Sequence, residues 1–146
     1  PFPTELTDAT GEDLRKAGHE FGAVTGRPRR CGWLDLVAVN YTIMLNGVTK
    51  LIVTKADVLN IFDEVKVCES YTIGSDEHKS IPFDITAAPI VPNYTTLKGW
   101  KTDHAMKTAA DLPASLNDFM QYVHDKTNVG VSIVSIGAGR DQLVTF

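Results

Sequence analysis

Leu34-Asp35-Leu36-Val37-Ala38-Val39-Asn40-Tyr41-Thr42-Ile43-Met44-Leu45-Asn46-Gly47, with Leu51-Ile52-Val53-Thr54-Lys55-Ala56-Asp57 close behind it, decides the fold class. Apolar residues recur at Leu34, Val37, Ala38, Tyr41 and Leu45, the spacing of one helical face. Asp35 stands at the amino end of this helix, and Gly47 is placed to cap the other. Leu51-Ile52-Val53 is a short apolar run that reads as a buried strand, ending at Thr54-Lys55-Ala56-Asp57.

The same alternation extends outward. Upstream, Thr10 with Asp13 resembles a capping box for a short polar helix, and Gly18 can stop it. His19 to Gly32 is a loop rich in Gly and Arg. Downstream, a short helix is expected from Val58 to about Phe62. Val65 to Ile73 then alternates like a strand with one wet face. Gly74-Ser75-Asp76-Glu77 is turn chemistry, so Lys79 to Ile85 is expected to return as the hairpin partner. Thr86 to Trp100, with its Pro and Ala content, gives no clear element.

Pro113 suits the first position of a helix whose stripe is Leu116, Phe119, Met120 and Val123. Val131 to Ile136 reads as a last buried strand, ending in Gly137-Ala138-Gly139-Arg140. Helices alternating with short strands around a hairpin favour an α/β sheet with helical cover over a sandwich or a bundle. With no repeat and no linker, residues 1–146 are read as one unit.

The bulk numbers narrow the function classes. Fourteen basic and 18 acidic residues give a net charge of −4. Such a chain has no global field for nucleic acid or an anionic membrane, so any anion site must be a local concentration of positive charge. Cys31 and Cys68 form no C-x-x-C pair, which argues against a disulfide framework or zinc site and fits a reducing cytoplasm. No run approaches the roughly 18 apolar residues of a membrane span. The chain opens on Pro1-Phe2-Pro3-Thr4-Glu5-Leu6 without a Met, as a processed start or a piece of something larger would.

Three stretches carry candidate chemistry. In Gly22-Ala23-Val24-Thr25-Gly26-Arg27-Pro28-Arg29-Arg30, three of the chain's 14 basic residues fall within four positions, beside glycines. Guanidinium groups bind carboxylates and phosphates bidentately, so this is either a clamp for anionic small molecules or a solvated basic loop. Lys55-Ala56-Asp57, at a strand end, can read guanine: the carboxylate accepts the N1–H and N2–H of the base while the lysine stem lies on the ring. Adenine would leave that carboxylate unpaired. Asp57 could equally cap the following helix. Ser135-Ile136-Gly137 ends the last strand, where open α/β sheets bind ligands, or is an ordinary turn. His19, His78, His104 and His124 are scattered and read as surface residues, and Trp33 and Trp100 as packing anchors.

Taken in order, these stretches resemble adenylosuccinate synthetase over almost the whole chain. Pro1 to Leu6 is similar to the family's G-P-F-P-T-E-L segment without its leading Gly. Glu20-Phe21-Gly22 through Thr25-Gly26-Arg27-Pro28-Arg29-Arg30-Cys31-Gly32-Trp33 resembles the aspartate-binding loop and its continuation. Thr54-Lys55-Ala56-Asp57-Val58-Leu59 is similar to the guanine-recognition motif. Glu64 to Cys68, Gly99-Trp100-Lys101 and Val131 to Ser135 continue the likeness. Val24 stands where the family usually has a second Thr, and Gly137-Ala138-Gly139-Arg140 replaces its G-P-D-R.

The resemblance implies the C-terminal part of a larger, mainly parallel sheet with helical cover and a small β-hairpin. It implies a ligase that joins IMP and L-aspartate using GTP and Mg²⁺, as a cytoplasmic homodimer, with no nucleic acid or membrane partner. Ala23, Val24, Thr25, Gly26, Arg27, Pro28 and Arg29 would close on aspartate, with Arg27 also at the IMP ribose and Arg29 toward the GTP phosphates. Lys55, Ala56 and Asp57 with Ser135, Ile136 and Gly137 would hold guanine. The phosphate loop, the catalytic Asp and His, the Mg²⁺ site and most of the IMP pocket would lie upstream of Pro1. No catalytic or metal-binding residue is therefore expected here, and the chain alone is expected to be inactive. A guanine-nucleotide binding module without catalysis is the alternative.

Overall fold

Asp8 starts the first helix. Its carboxylate accepts the Gly11 N–H at 3.1 Å, and α1 runs over Ala9–Ala17 to Gly18. An aspartate outside the first turn thus does the capping expected of Thr10, and the helix begins before that residue. The computed structural model describes residues 2–146. Pro1, with which the family-like opening begins, lies outside the described residues.

The remaining elements are β1 (Leu34–Asp35), α2 (Leu36–Asn46), β2 (Leu51–Val53), β3 (Glu64–Ile73), β4 (Asp76–His78), β5 (Ile90–Lys98), α3 (Ala114–Thr127), β6 (Val131–Ser135) and β7 (Leu143–Thr145). A 3₁₀ helix covers Ala56–Ile61, where a short helix from Val58 is expected. The α/β class holds. Where one unit is expected, however, the chain packs as two. One takes in the chain up to Leu45 together with Lys66–Thr96, and the other holds Asn46–Val65 and Leu97–Phe146. Each unit is discontinuous in sequence, so no linker-like composition marks the division.

In the first unit β1 pairs parallel with β3, Leu34 opposite Val67 and Asp35 opposite Cys68. β4 pairs antiparallel with β3, and β5 also pairs with β3. The hairpin is tighter than expected. Ile73 faces Asp76 directly, so Gly74-Ser75 alone makes the turn, with Gly74 at φ +64°. A two-residue connection sets the register, and the acidic residues assigned to the turn become strand. Lys79 to Ile85 forms no strand.

β5 escaped the pattern because Pro89 and Pro92 speak against a strand. Tyr94-Thr95-Thr96 supplies the propensity, and polar bonds stitch β5 to β3. Thr95 Oγ1 donates to Glu69 Oε1 at 2.6 Å, and Asn93 Nδ2 donates to Ser70 Oγ and Thr72 Oγ1, both at 3.0 Å. Val37, Cys68 and Tyr71 form the core here, with Ile81, Ile90 and Tyr94 against them.

Asp35 links sheet, helix and core. Its Oδ1 accepts the N–H groups of Val37 and Ala38 at 3.1 and 3.2 Å, capping α2, and its Oδ2 accepts the Tyr71 hydroxyl at 2.6 Å. Burial, then the bond to Asp35, pushes the Tyr71 phenol upward. Burial, then the Asp35 charge, pushes the Cys68 thiol up to about 11.

In the second unit β2 pairs parallel with β6, and β7 pairs antiparallel with β6. Each sheet thus contains both a parallel and an antiparallel pair. α3 packs on β6 through its expected stripe, with Leu116, Phe119, Met120 and Val123 buried. Pro113 precedes α3 as its cap, one position earlier than expected, and Asn128 in the left-handed conformation ends it.

Candidate functional site

Three short-range bonds shape the basic loop. Gly22 N–H donates to Arg27 O at 2.8 Å, Gly26 N–H to Gly22 O at 2.9 Å, and Arg29 N–H to Glu20 O at 2.9 Å. Gly26 takes φ +65°, a conformation that costs a Cβ-bearing residue energy. Phe21 bridges to Pro28, so the loop is a hairpin-like finger with Val24 and Thr25 at its tip. Val24 is 98 % exposed, and Ala23 to Arg30 are all exposed.

The three arginines differ. Arg29 Nη1 meets Glu20 Oε2 at 3.0 Å, and Arg30 Nε lies 3.5 Å from Glu5 Oε1. Both are half-exposed pairs, whose contribution is at most about 1 kcal/mol. The Arg15 guanidinium further holds the loop by donating to Arg29 O at 2.8 Å. Of these three loop arginines, Arg27 is the one whose guanidinium has no acidic partner among the described residues. It is the loop arginine most available to an incoming carboxylate.

The second unit brings the other two stretches together. Lys55 N–H donates to Ser135 Oγ at 2.7 Å, joining the end of β2 to the end of β6 across 80 residues of sequence. Ser135 is 7 % exposed. Lys55 sits at φ 60° and ψ 37°, the left-handed region that a residue with a long side chain rarely enters. Such strain is retained where the surroundings over-determine it. Here the Ser135 bond and buried Ala56 do so. Ala56 O accepts the Trp100 indole N–H at 2.8 Å, and the Trp100 ring lies 5.0 Å from Phe119. Trp100 is therefore a packing anchor, as expected, and also a brace for the motif.

Asp57 does not cap the 3₁₀ helix, whose cap position is Lys55 and carries no side-chain cap bond. Its Oδ1 is buried without a hydrogen-bond partner. A buried carboxylate oxygen left unpaired is costly, so this atom is an acceptor awaiting a donor. On the other wall Ile136 is fully buried, its N–H donating to Gln142 O at 3.0 Å. Gln142 Oε1 also accepts the Gly139 N–H at 2.6 Å, and a Cβ on Gly137 would collide with that same oxygen. Gly137 is small because the loop folds back on itself there.

Sequence reasoning missed two supporting residues, Gln142 and Asn60. Gln142 shapes the 137–142 turn. Asn60 accepts Thr102 N–H and donates to Thr102 O, both at 2.9 Å, fixing the segment beyond Trp100. Each acts through a partner distant in sequence or through one backbone atom, and no motif spacing signals that.

The arginine loop belongs to the first unit and the Lys55–Ser135 pair to the second. An open cavity of about 380 Å³ in the second unit involves Asn117, Gln121 and His124 and none of the expected guanine residues. Among the described residues no three His, Cys, Asp or Glu side chains form a group that could hold a metal ion. No helix among them is long and apolar enough to cross a membrane.

A family model described as adenylosuccinate synthetase matches residues 1–144. Adenylosuccinate synthetases of Bacteroides thetaiotaomicron and Porphyromonas gingivalis are each 47 % identical over 145 residues, covering 99 % of this chain and 34 % of theirs. The chain thus spans about a third of the length of the curated relatives it matches. The fully ligated adenylosuccinate synthetase of Plasmodium falciparum superposes with a TM-score of 0.92 at 28 % identity, covering all of this chain and 36 % of that one.

Proposed function

This chain belongs to the adenylosuccinate synthetase family, and from that premise we propose that it is the recognition portion of a GTP-dependent ligase joining IMP and L-aspartate. The observation that carries the nucleotide half of this reading is the unpartnered Asp57 Oδ1 beside Lys55 at the end of β2. Guanine supplies N1–H and N2–H on one edge, the two donors that a carboxylate accepts together. The Lys55 stem covers the ring face, held by the Lys55–Ser135 bond, and the tight turn after Ile136 forms the opposite wall. Adenine offers neither donor in that place, so it would leave Asp57 buried and unpaired.

The aspartate half rests on the finger from Ala23 to Arg29. Arg27 meets the aspartate carboxylate and the IMP ribose, and the tip residues Val24 and Thr25 close over the substrate. Arg29 turns toward the GTP phosphates, exchanging its half-exposed Glu20 partner for them. That exchange is affordable, since the existing pair contributes at most about 1 kcal/mol. Phosphoryl chemistry, with its Mg²⁺, belongs to the part of the longer protein outside these residues. By this reading the isolated chain makes no adenylosuccinate, and the complete protein acts as a cytoplasmic homodimer.

The test is a split in the kinetic constants of the longer protein. Asp57→Asn should raise the KM for GTP by roughly 10- to 150-fold, the worth of a charge-assisted hydrogen bond, and leave the KM for IMP within about twofold. An unchanged KM for GTP would remove Asp57 from the nucleotide site and the reading with it.

A further inference from the structure

We propose that the outward face of α2 is a docking surface whose occupant is the part of the longer protein's own chain that these 146 residues do not include. The inference concerns assembly and does not depend on the nucleotide reading.

Eight of the eleven residues of α2 are apolar and none is charged, as its sequence LVAVNYTIMLN shows. A helix apolar on all sides belongs in an interior. Yet only Leu36 and Val37 are buried, while Tyr41, Met44 and Leu45 are 41, 69 and 61 % exposed. These three lie at i, i+3 and i+4, on one face.

The other helices are finished for solvent. α1 presents an exposed Glu12–Lys16 pair at 3.7 Å, and exposed Gln121 and Asp125 bond on α3 at 2.7 Å. α2 has no acidic residue in its first turn and no basic residue in its last.

The occupant follows from length and from this composition. The relatives carry about two thirds of their chain beyond the matched region. A patch without charges suits permanent packing, like a core cut in two, better than a partner that comes and goes. Exposed apolar surface of this kind marks an interaction site.

Methionine oxidation reads the cover directly, since attack follows exposure. The probe is dilute hydrogen peroxide, with each methionine followed by mass spectrometry. In the 146-residue chain Met44 should oxidise faster than half-buried Met106 and buried Met120. In the longer protein Met44 should slow by at least roughly tenfold, to below the rate of Met106, if oxidation tracks burial. Equal Met44 rates in the two proteins would overturn the proposal. So would protection already present in the 146-residue chain that disappears on dilution, which would make a second copy the occupant. Should the short chain fail to fold, its three methionines would oxidise alike. The order of Met44 and Met106 within the longer protein then decides alone, and Met44 remaining the faster would overturn the proposal.

Discussion

The finger from Glu20 to Arg30 and the strand end from Lys55 to Asp57 differ in what holds them. The finger is fixed by its own backbone bonds, by Gly26 at positive φ and by half-exposed ion pairs, and its tip touches little. The strand end is pinned from outside its own sequence, by Ser135 on one side and Trp100 on the other. A loop that closes over a substrate can be shaped locally and left exposed. A site that discriminates one base by hydrogen bonds needs its acceptor held before the base arrives. The strand end is thus held by buried partners distant in sequence, where the finger is held by its own backbone.

The sharpest way to break this contrast is to remove a brace. Trp100→Ala deletes a 3 %-exposed ring and leaves Ala56 O without its donor. It should cost about 3–5 kcal/mol in urea unfolding, as large-to-small core changes do. A loss below about 1 kcal/mol would mean that Trp100 does not support the motif.

Alkali probes the core beneath the first unit's sheet. The Cys68 thiol is raised from 9.0 to about 11 and the Tyr94 phenol from 10.0 to about 12, burial being the largest cause for both. Groups raised in the folded state contribute fully below their unfolded values. That contribution is lost as pH climbs toward the folded values. Unfolding free energy should therefore hold steady from pH 7 to about 9 and fall by an amount on the order of 5 kcal/mol by about pH 12. A stability that rises over that window would contradict the assignment.

Ser135→Ala is milder. It removes the acceptor of the Lys55 N–H and should cost about 1–2 kcal/mol while weakening GTP binding in the longer protein. Loss of stability with no change for GTP would separate the fold from the site. Smallest of all is Val24→Thr, at a 98 %-exposed position. Stability should stay within about 0.5 kcal/mol, while the KM for aspartate in the longer protein should drop roughly 2- to 10-fold from one new hydroxyl contact. If that KM does not move, the finger's tip does not reach the substrate.

The same contrast explains what could be read in advance. α2, α3, β2 and β6 were legible because periodic apolar runs encode which face is buried. β5 was hidden by its prolines. β7 went unread because it is a three-residue strand whose place depends on pairing with β6. Among the candidate residues, the arginines stood out by local density. Lys55 and Ser135 each stand in a short candidate stretch with an ordinary alternative, and family order rather than spacing joins them. What no pattern conveys is that a hydrogen bond spanning 80 residues joins them.

The central claim, that Asp57 reads guanine, is tested most directly by changing the base. With the longer protein, binding should follow GTP, then ITP, then ATP, because inosine keeps the N1–H but lacks the N2 amine and adenine lacks both. Asp57→Asn should flatten that series. If ATP binds as well as GTP, or if the series survives in Asp57→Asn, the account is contradicted.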